Sequence, residues 1–92
     1  MTDESVRRRV VVHGRVQGVA FRDATRRQAS TRGVAGWVTN RSDGAVEAVF
    51  EGEPDAVRSL VRFVREGPRA ADVDRVEESE EDPEGLSDFS VR

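Results

Sequence analysis

The sequence predicts an α+β fold: one antiparallel sheet with two helices on a single face. Three observations predict it. Strand-like runs lie at Arg7–His13, Val34–Asn40 and Ala45–Glu51. Helical segments lie at Phe21–Arg32 and from Pro54 to Glu66. Their order, with a further candidate strand at Asp72–Glu77, is β-α-β-β-α-β. Two helices and four main strands in that order pack most economically as two split βαβ units with right-handed crossovers, the ferredoxin-like sandwich.

Each element has a local reason. Val10-Val11-Val12 is the β-branched run of a buried strand. In the first helix Phe21, Ala24 and Ala29 share a face with the stems of Thr25 and Gln28, and Gly33 supplies the stop. Ser42-Asp43-Gly44 is a hairpin turn, because Asp-Gly tolerates the positive φ of a tight turn. In the strand that follows, Val46, Ala48 and Phe50 lie on one face and Glu47 and Glu51 on the other. The second helix opens on Pro54 and Asp55, which suit its first turn. Its stripe is Val57, Leu60, Val61 and Val64, and Gly67-Pro68 ends it. Val73 and Val76 mark the fourth strand, the acidic run Glu77–Glu84 reads as a solvated loop, and Phe89 and Val91 mark a short last strand. Met1–Ser5 is read as a flexible tail ahead of one domain spanning 6–92.

Composition narrows the chemistry. Ninety-two residues suit one small domain with a modest core. The absence of cysteine excludes disulfides, thiolate metal sites and cysteine nucleophiles, and a single histidine, His13, cannot make a His-rich metal site. No stretch approaches the ~18 apolar residues of a membrane span, and no signal segment opens the chain. The expectation is therefore a soluble cytoplasmic protein, most simply a monomer, with no membrane partner, metal or cofactor.

Charge is divided unevenly. Residues 1–46 hold nine arginines against four acids, and residues 47–92 hold six against fourteen. All fifteen basic residues are arginine. Compositional bias explains this, and so does an anion-binding N-terminal half, since guanidinium forks suit phosphate and carboxylate; the two readings are compatible. The acidic second half argues against a nucleic-acid groove across the whole surface. An RNA-reading sheet would also want aromatic pairs on its open face, and Trp37 with four phenylalanines is the whole aromatic set.

Residues 12–22, VHGRVQGVAFR, carry the strongest signal. Between a strand ending at His13 and a helix starting near Phe21, Gly14 and Gly18 let the backbone curl until successive N–H groups point inward. The helix start adds unpaired N–H donors and partial positive charge. Arg22, in that first turn, can bring a fork of donors to two oxygens of a phosphate. The alternative on loop geometry alone is an ordinary glycine-containing connection. Other phosphate chemistries fail: a Walker loop needs lysine, and a dinucleotide fingerprint needs three glycines in a larger parallel sheet. Asp72-Val73-Asp74 has the look of an aspartyl-phosphate motif but follows Gly67–Ala71 rather than an aliphatic strand. A cup without nucleophile or metal leaves the attack to water. An uncharged amide that both donates and accepts suits the holding of that water. Asn40, at the end of the second strand, is the candidate, its alternative role being a turn-start hydrogen bond.

These residues resemble the acylphosphatase family. Val12, Gly14, Val16-Gln17-Gly18-Val19 and Phe21-Arg22 fill every fixed place of its first signature. Gly36-Trp37-Val38, Asn40, Gly44-Ala45-Val46 and Gly52 match the second. Thr39 departs, standing where the family usually has Lys, Arg, Gln or Met, a difference that bears on substrate preference. Gly67-Pro68, Ala71 and Val73 match further on. The resemblance implies metal-independent hydrolysis of a small-molecule acyl phosphate to carboxylate and inorganic phosphate. It implies that Arg22 binds the phosphoryl group and Asn40 orients the water. The main-chain amides of Arg15, Val16, Gln17, Gly18, Val19 and Ala20 would line the cup. Gln17 is read as bracing the loop with its side chain, and Arg15 as either adding potential at the rim or standing as a solvated charge. The competing class is a noncatalytic anion-binding regulatory module on the same scaffold; intact Arg22 and Asn40 argue for the enzyme.

Overall fold

Alternation along the strands sorts their side chains onto two faces. In a computed structural model, which describes residues 4–92, β1 (Val6–Arg15) places Val10 and Val12 on the helix-covered face. Of the tail expected at residues 1–5, residues 1–3 lie outside the described residues, and Glu4 and Ser5 are exposed and irregular. The remaining elements are α1 (Phe21–Arg32), β2 (Ala35–Asn40), β3 (Val46–Gly52), α2 (Pro54–Glu66), β4 (Asp72–Glu81) and β5 (Phe89–Val91).

The sheet order is β4-β1-β3-β2-β5. The four main strands pair antiparallel, as expected of the sandwich. β5 adds a parallel edge against Gly36–Val38 of β2, because the chain leaves β4 at one side of the sheet and crosses to the other before extending again. Phe21, Thr25 and Ala29 of α1 and Val57, Leu60, Val61 and Val64 of α2 are buried against Val38, Ala48 and Phe50 of the sheet. Ala24 and Gln28 reach only the margin of that core. The buried Thr25 hydroxyl is satisfied, donating to the Phe21 carbonyl oxygen at 2.8 Å.

One expectation is corrected. The acidic run is not a loop throughout: Glu77–Glu81 belongs to β4, paired with β1 from Arg7 to Val11. The arginines of β1 make this possible. Arg7 and Arg9 both bond Glu81, and Arg8 pairs with Glu78 and Glu80. A charged edge strand also resists pairing with other chains. Glu51 lies, as expected, on the face away from the helices, where residues 84–86 and Arg7 cover it and leave it 3% exposed.

Arg9 and Arg7 hold the Glu81 carboxyl down from its ordinary value of 4.5 to about 2. A depressed carboxyl contributes stability that is present above its unfolded value and lost as pH falls through the folded one. Urea melts are therefore expected to show stability falling between pH 4.5 and about 2, with Glu81→Gln flattening part of that fall and lowering stability at pH 7. An unchanged acid limb in the variant would remove the Glu81 pairing from the account.

Candidate active site

The site begins with an irregularity in β1. The β1–β4 register shifts between His13 and Gly14. Gly14 has φ 129°, and a Cβ on it would stand 2.2 Å from the Asp72 carbonyl oxygen, so a side chain there is excluded. Gly14 thus acts one step before the cup, inside the strand. Residues 16–20 then lead to α1. Val16 is buried in the core, and Gly18 turns left-handed at φ 74°. Ala20 is left-handed too, at φ 59° and ψ 27°, the one non-glycine residue of that kind among the described residues.

A left-handed alanine costs roughly 1–2 kcal/mol. Ala20 also makes no side-chain cap for α1, whereas a Ser, Thr, Asn or Asp cap is worth about 1 kcal/mol. Its carbonyl oxygen still accepts the Ala24 N–H at 3.0 Å, so the first turn closes. Two locally unfavourable choices therefore coincide at one residue. Their joint result is a helix start without a side-chain cap, beside a loop curled by Gly18.

That helix start opens onto a cavity of about 380 Å³ walled by Val16, Gly18, Ala20, Arg22 and Asn40, with Val91 on a further side. Arg22 is half-buried, and its Nη1 donates to the main-chain oxygen of Arg92 at 2.9 Å. This occupies one of the guanidinium's five N–H groups. Thr39 Oγ1 donates to the same oxygen at 3.2 Å. Gln17 spans from the loop to the β2–β3 turn, its Nε2 donating to the carbonyl oxygens of Arg41 (2.8 Å) and Ala45 (2.9 Å). The carbonyl of Arg41 belongs to the residue after Asn40, so this brace fixes how far Asn40 stands from the cup.

The sequence-predicted residues divide accordingly. Arg22, Asn40, Val16, Gly18 and Ala20 meet at one cavity. Gln17 turns its side chain into the brace, and half-buried Val19 packs against the core. The Arg15 side chain is directed to β4, with Nη2 donating to the Ala70 carbonyl oxygen at 3.1 Å and Nε facing Asp72 at 3.4 Å. His13 sits on the other face of the sheet, its Nε2 2.7 Å from Glu77. Trp37, on that same face, lies under the guanidiniums of Arg92 (4.6 Å) and Arg9 (5.4 Å).

Sequence reasoning missed Arg26 and Asp23, which also wall the cavity. Arg26 stands four residues after Arg22, the spacing that returns a side chain to the same helix face, so the signal was present. Asp23 pairs with Arg26 (2.9 Å) and Arg27 (3.4 Å), and the Arg26 bond, followed by the Arg27 charge, lowers its pKa. Its charge is thereby offset at the cavity mouth. A second concavity, of about 340 Å³ between α2 and β1, differs in kind. There α2 begins on Glu53, whose carboxylate already accepts the Ala56 N–H.

By fold and site the chain is a small ferredoxin-like domain with a cavity at its first strand–helix junction. Residues 8–91 match the family model described as Acylphosphatase. The chain is 55% identical to an acylphosphatase of Gloeobacter violaceus, over 95% of this chain and 94% of that one. It is 57% identical to one of Rubrobacter xylanophilus, over 97% of this chain and 82% of that one. The solved structure of an acylphosphatase from Coxiella burnetii superposes with a TM-score of 0.91 at 42% identity, covering 96% of this chain and 93% of that one. The chain belongs to the acylphosphatase family.

The double bond made by Gln17 generates a prediction. Gln17→Ala is expected to lower unfolding free energy by about 1–3 kcal/mol, on the order of one net contribution per lost bond. Gln17→Glu, which sets a carboxylate against two carbonyl oxygens, is expected to lose more. Chemical denaturation of the three proteins checks the order; equal stability of wild type and Gln17→Ala would show that the brace carries no strain or load.

Proposed function

We propose that the chain hydrolyses the carboxyl–phosphate bond of acyl phosphates, releasing a carboxylate and inorganic phosphate. The observation that carries this reading is the meeting of an α1 start without a side-chain cap, Arg22 and Asn40 at one cavity in a member of the acylphosphatase family. Residues 6–92 act as one domain, and the protein works as a cytoplasmic monomer on a small-molecule substrate.

In this mechanism the phosphoryl oxygens lie in the cradle formed by the 15–20 backbone and the first turn of α1. Arg22 brings its free N–H groups to two of them. Asn40 holds a water opposite the acyl oxygen. The water oxygen bonds to phosphorus while the bond from phosphorus to the acyl oxygen breaks, and the electron pair leaves on the carboxylate. The water's proton passes to a phosphoryl oxygen, giving dihydrogen phosphate. A carboxylate needs little help in leaving, so no general acid is required. Asp23 is a poor base, because Arg26 stabilises its ionised form. Positioning and charge stabilisation therefore supply the catalysis, as is general for phosphoryl transfer. The regulatory-module alternative is disfavoured by the intact pair of Arg22 and Asn40.

Phosphate release from benzoyl phosphate in EDTA tests the reading. Wild type is expected to turn over in the chelator. Arg22→Ala is expected to lose on the order of 10²–10³ in rate, the usual cost of one preorganised donor, and also phosphate affinity. Arg22→Lys should recover little, since a point charge lacks the fork. Asn40→Ala should lower kcat with phosphate affinity nearly unchanged. Phosphate binding by wild type with no turnover would favour the regulatory module, and near-normal turnover in Asn40→Ala would remove its role.

A further inference from the structure

We infer that Glu51 is a positioning residue for Arg22, acting at a distance through the segment that carries β5; the inference rests on the hydrolase reading for its kinetic test. Glu51 is buried on the face of the sheet away from the helices. All four of its bonds are accounted for by two partners in space. Oε1 accepts from Arg7 Nη1 (3.2 Å) and from the Glu84 N–H (3.0 Å). Oε2 accepts from the N–H groups of Gly85 (2.6 Å) and Leu86 (2.9 Å). Three successive backbone donors closing on one carboxylate form an anion nest, here filled by the protein's own side chain. Gly85, at φ 82°, supplies the left-handed turn.

The nest fixes the middle of a strap, residues 82–88, whose Glu84 carboxylate also faces Arg7 Nη2 at 3.7 Å. Its largest apolar side chain, Leu86, is 37% exposed. At the end of the strap the Asp88 carbonyl oxygen accepts the Gly36 N–H at 2.9 Å, and Phe89, just after it, stacks on Phe50, the residue beside Glu51, with ring centroids 6.0 Å apart. β5 then runs for three residues along an edge of the sheet, too short to be secure by itself. It ends at the cavity. Val91 is part of the wall, the Arg92 N–H donates to the Val38 carbonyl oxygen at 2.8 Å, and the Arg92 oxygen receives both Arg22 and Thr39. A continuous path thus runs from Glu51 through strap and strand to the guanidinium. Thr39, the residue that departs from the family pattern, adds a second donor at the last link.

The path gives Glu51 a role separable from stability. In Glu51→Gln either amide orientation sets an NH₂ against two donors, so the nest opens while the side chain keeps its size. Hydrogen exchange at the Arg92 amide is expected to quicken about tenfold, and KM for benzoyl phosphate and Kd for inorganic phosphate to rise about fivefold, the equivalent of one lost hydrogen bond, with kcat changing less. Val61→Ala, a core truncation in α2, serves as the control: it lowers stability and leaves KM unaltered. Thr39→Val, a near-isosteric change at a half-buried position next to the end of β2, tests the last link and is expected to raise phosphate Kd about twofold. Faster exchange with KM and phosphate Kd unchanged in Glu51→Gln would overturn the inference, as would unchanged exchange. If Glu51→Gln does not fold, an unaltered phosphate Kd in Thr39→Val overturns it. A wild type that binds phosphate but never turns over would sink the hydrolase reading alone, and the exchange and phosphate measurements would still decide this one.

Discussion

Helix α1 starts on a left-handed alanine that makes no side-chain cap, and the chemistry of the site follows from that constraint. A capped helix end keeps its partial positive charge for itself. Here the first turn is left facing a cavity, and Arg22 adds a full charge at the same end. Local strain of this kind persists only where the surroundings over-determine the conformation. Those surroundings are identifiable. Buried Val16 and Phe21 pin the loop at both sides, Gly18 takes the left-handed turn, and Gln17 ties the middle to the neighbouring hairpin.

β1 supplies the frame for that loop. It lies between β3 and β4, with valines packed under the helices and arginines bound to glutamates of both neighbours. One strand therefore carries the hydrophobic core on one face and the Arg7 and Arg9 ion pairs on the other, with Arg8 pairing to β4 at the margin of the helix side, and it delivers the cup at its end. The division of charge along the sequence finds part of its explanation here. Basic β1 is matched by the acids of β3 and β4 rather than by an external polyanion, while Arg22 and Arg26 remain at the cavity. A surface ion pair is worth little, but Arg7 and Glu51 are both buried, and removing one partner of such a pair typically costs about 3–5 kcal/mol.

Most of the fold was legible because its signals are local. The stripe Val57–Leu60–Val61–Val64 and the stop at Gly67 placed α2, and alternation placed β3. Glu77–Glu81 was misread because four acids and a serine carry no strand propensity of their own; their partners, the arginines of β1, lie more than sixty residues away in the chain. The burial of Glu51 was not legible for the same reason, since alternation gives its face but not the strap that covers that face. At the candidate site, spacing singled out Gly18, Arg22 and Asn40, which wall one cavity. The anchoring of Arg22 by Arg92 was not, because it depends on where a three-residue strand lands after a crossing of the sheet.

The most direct measurement is an amide chemical-shift titration of the protein with inorganic phosphate. The account predicts that the backbone signals of residues 16–22 and the Arg22 Nε–H shift together and saturate at one affinity. Shifts confined to the concavity between α2 and β1, where Arg8, Arg58, Arg62 and Arg65 stand, or a cup that stays silent while phosphate binds elsewhere, would contradict it.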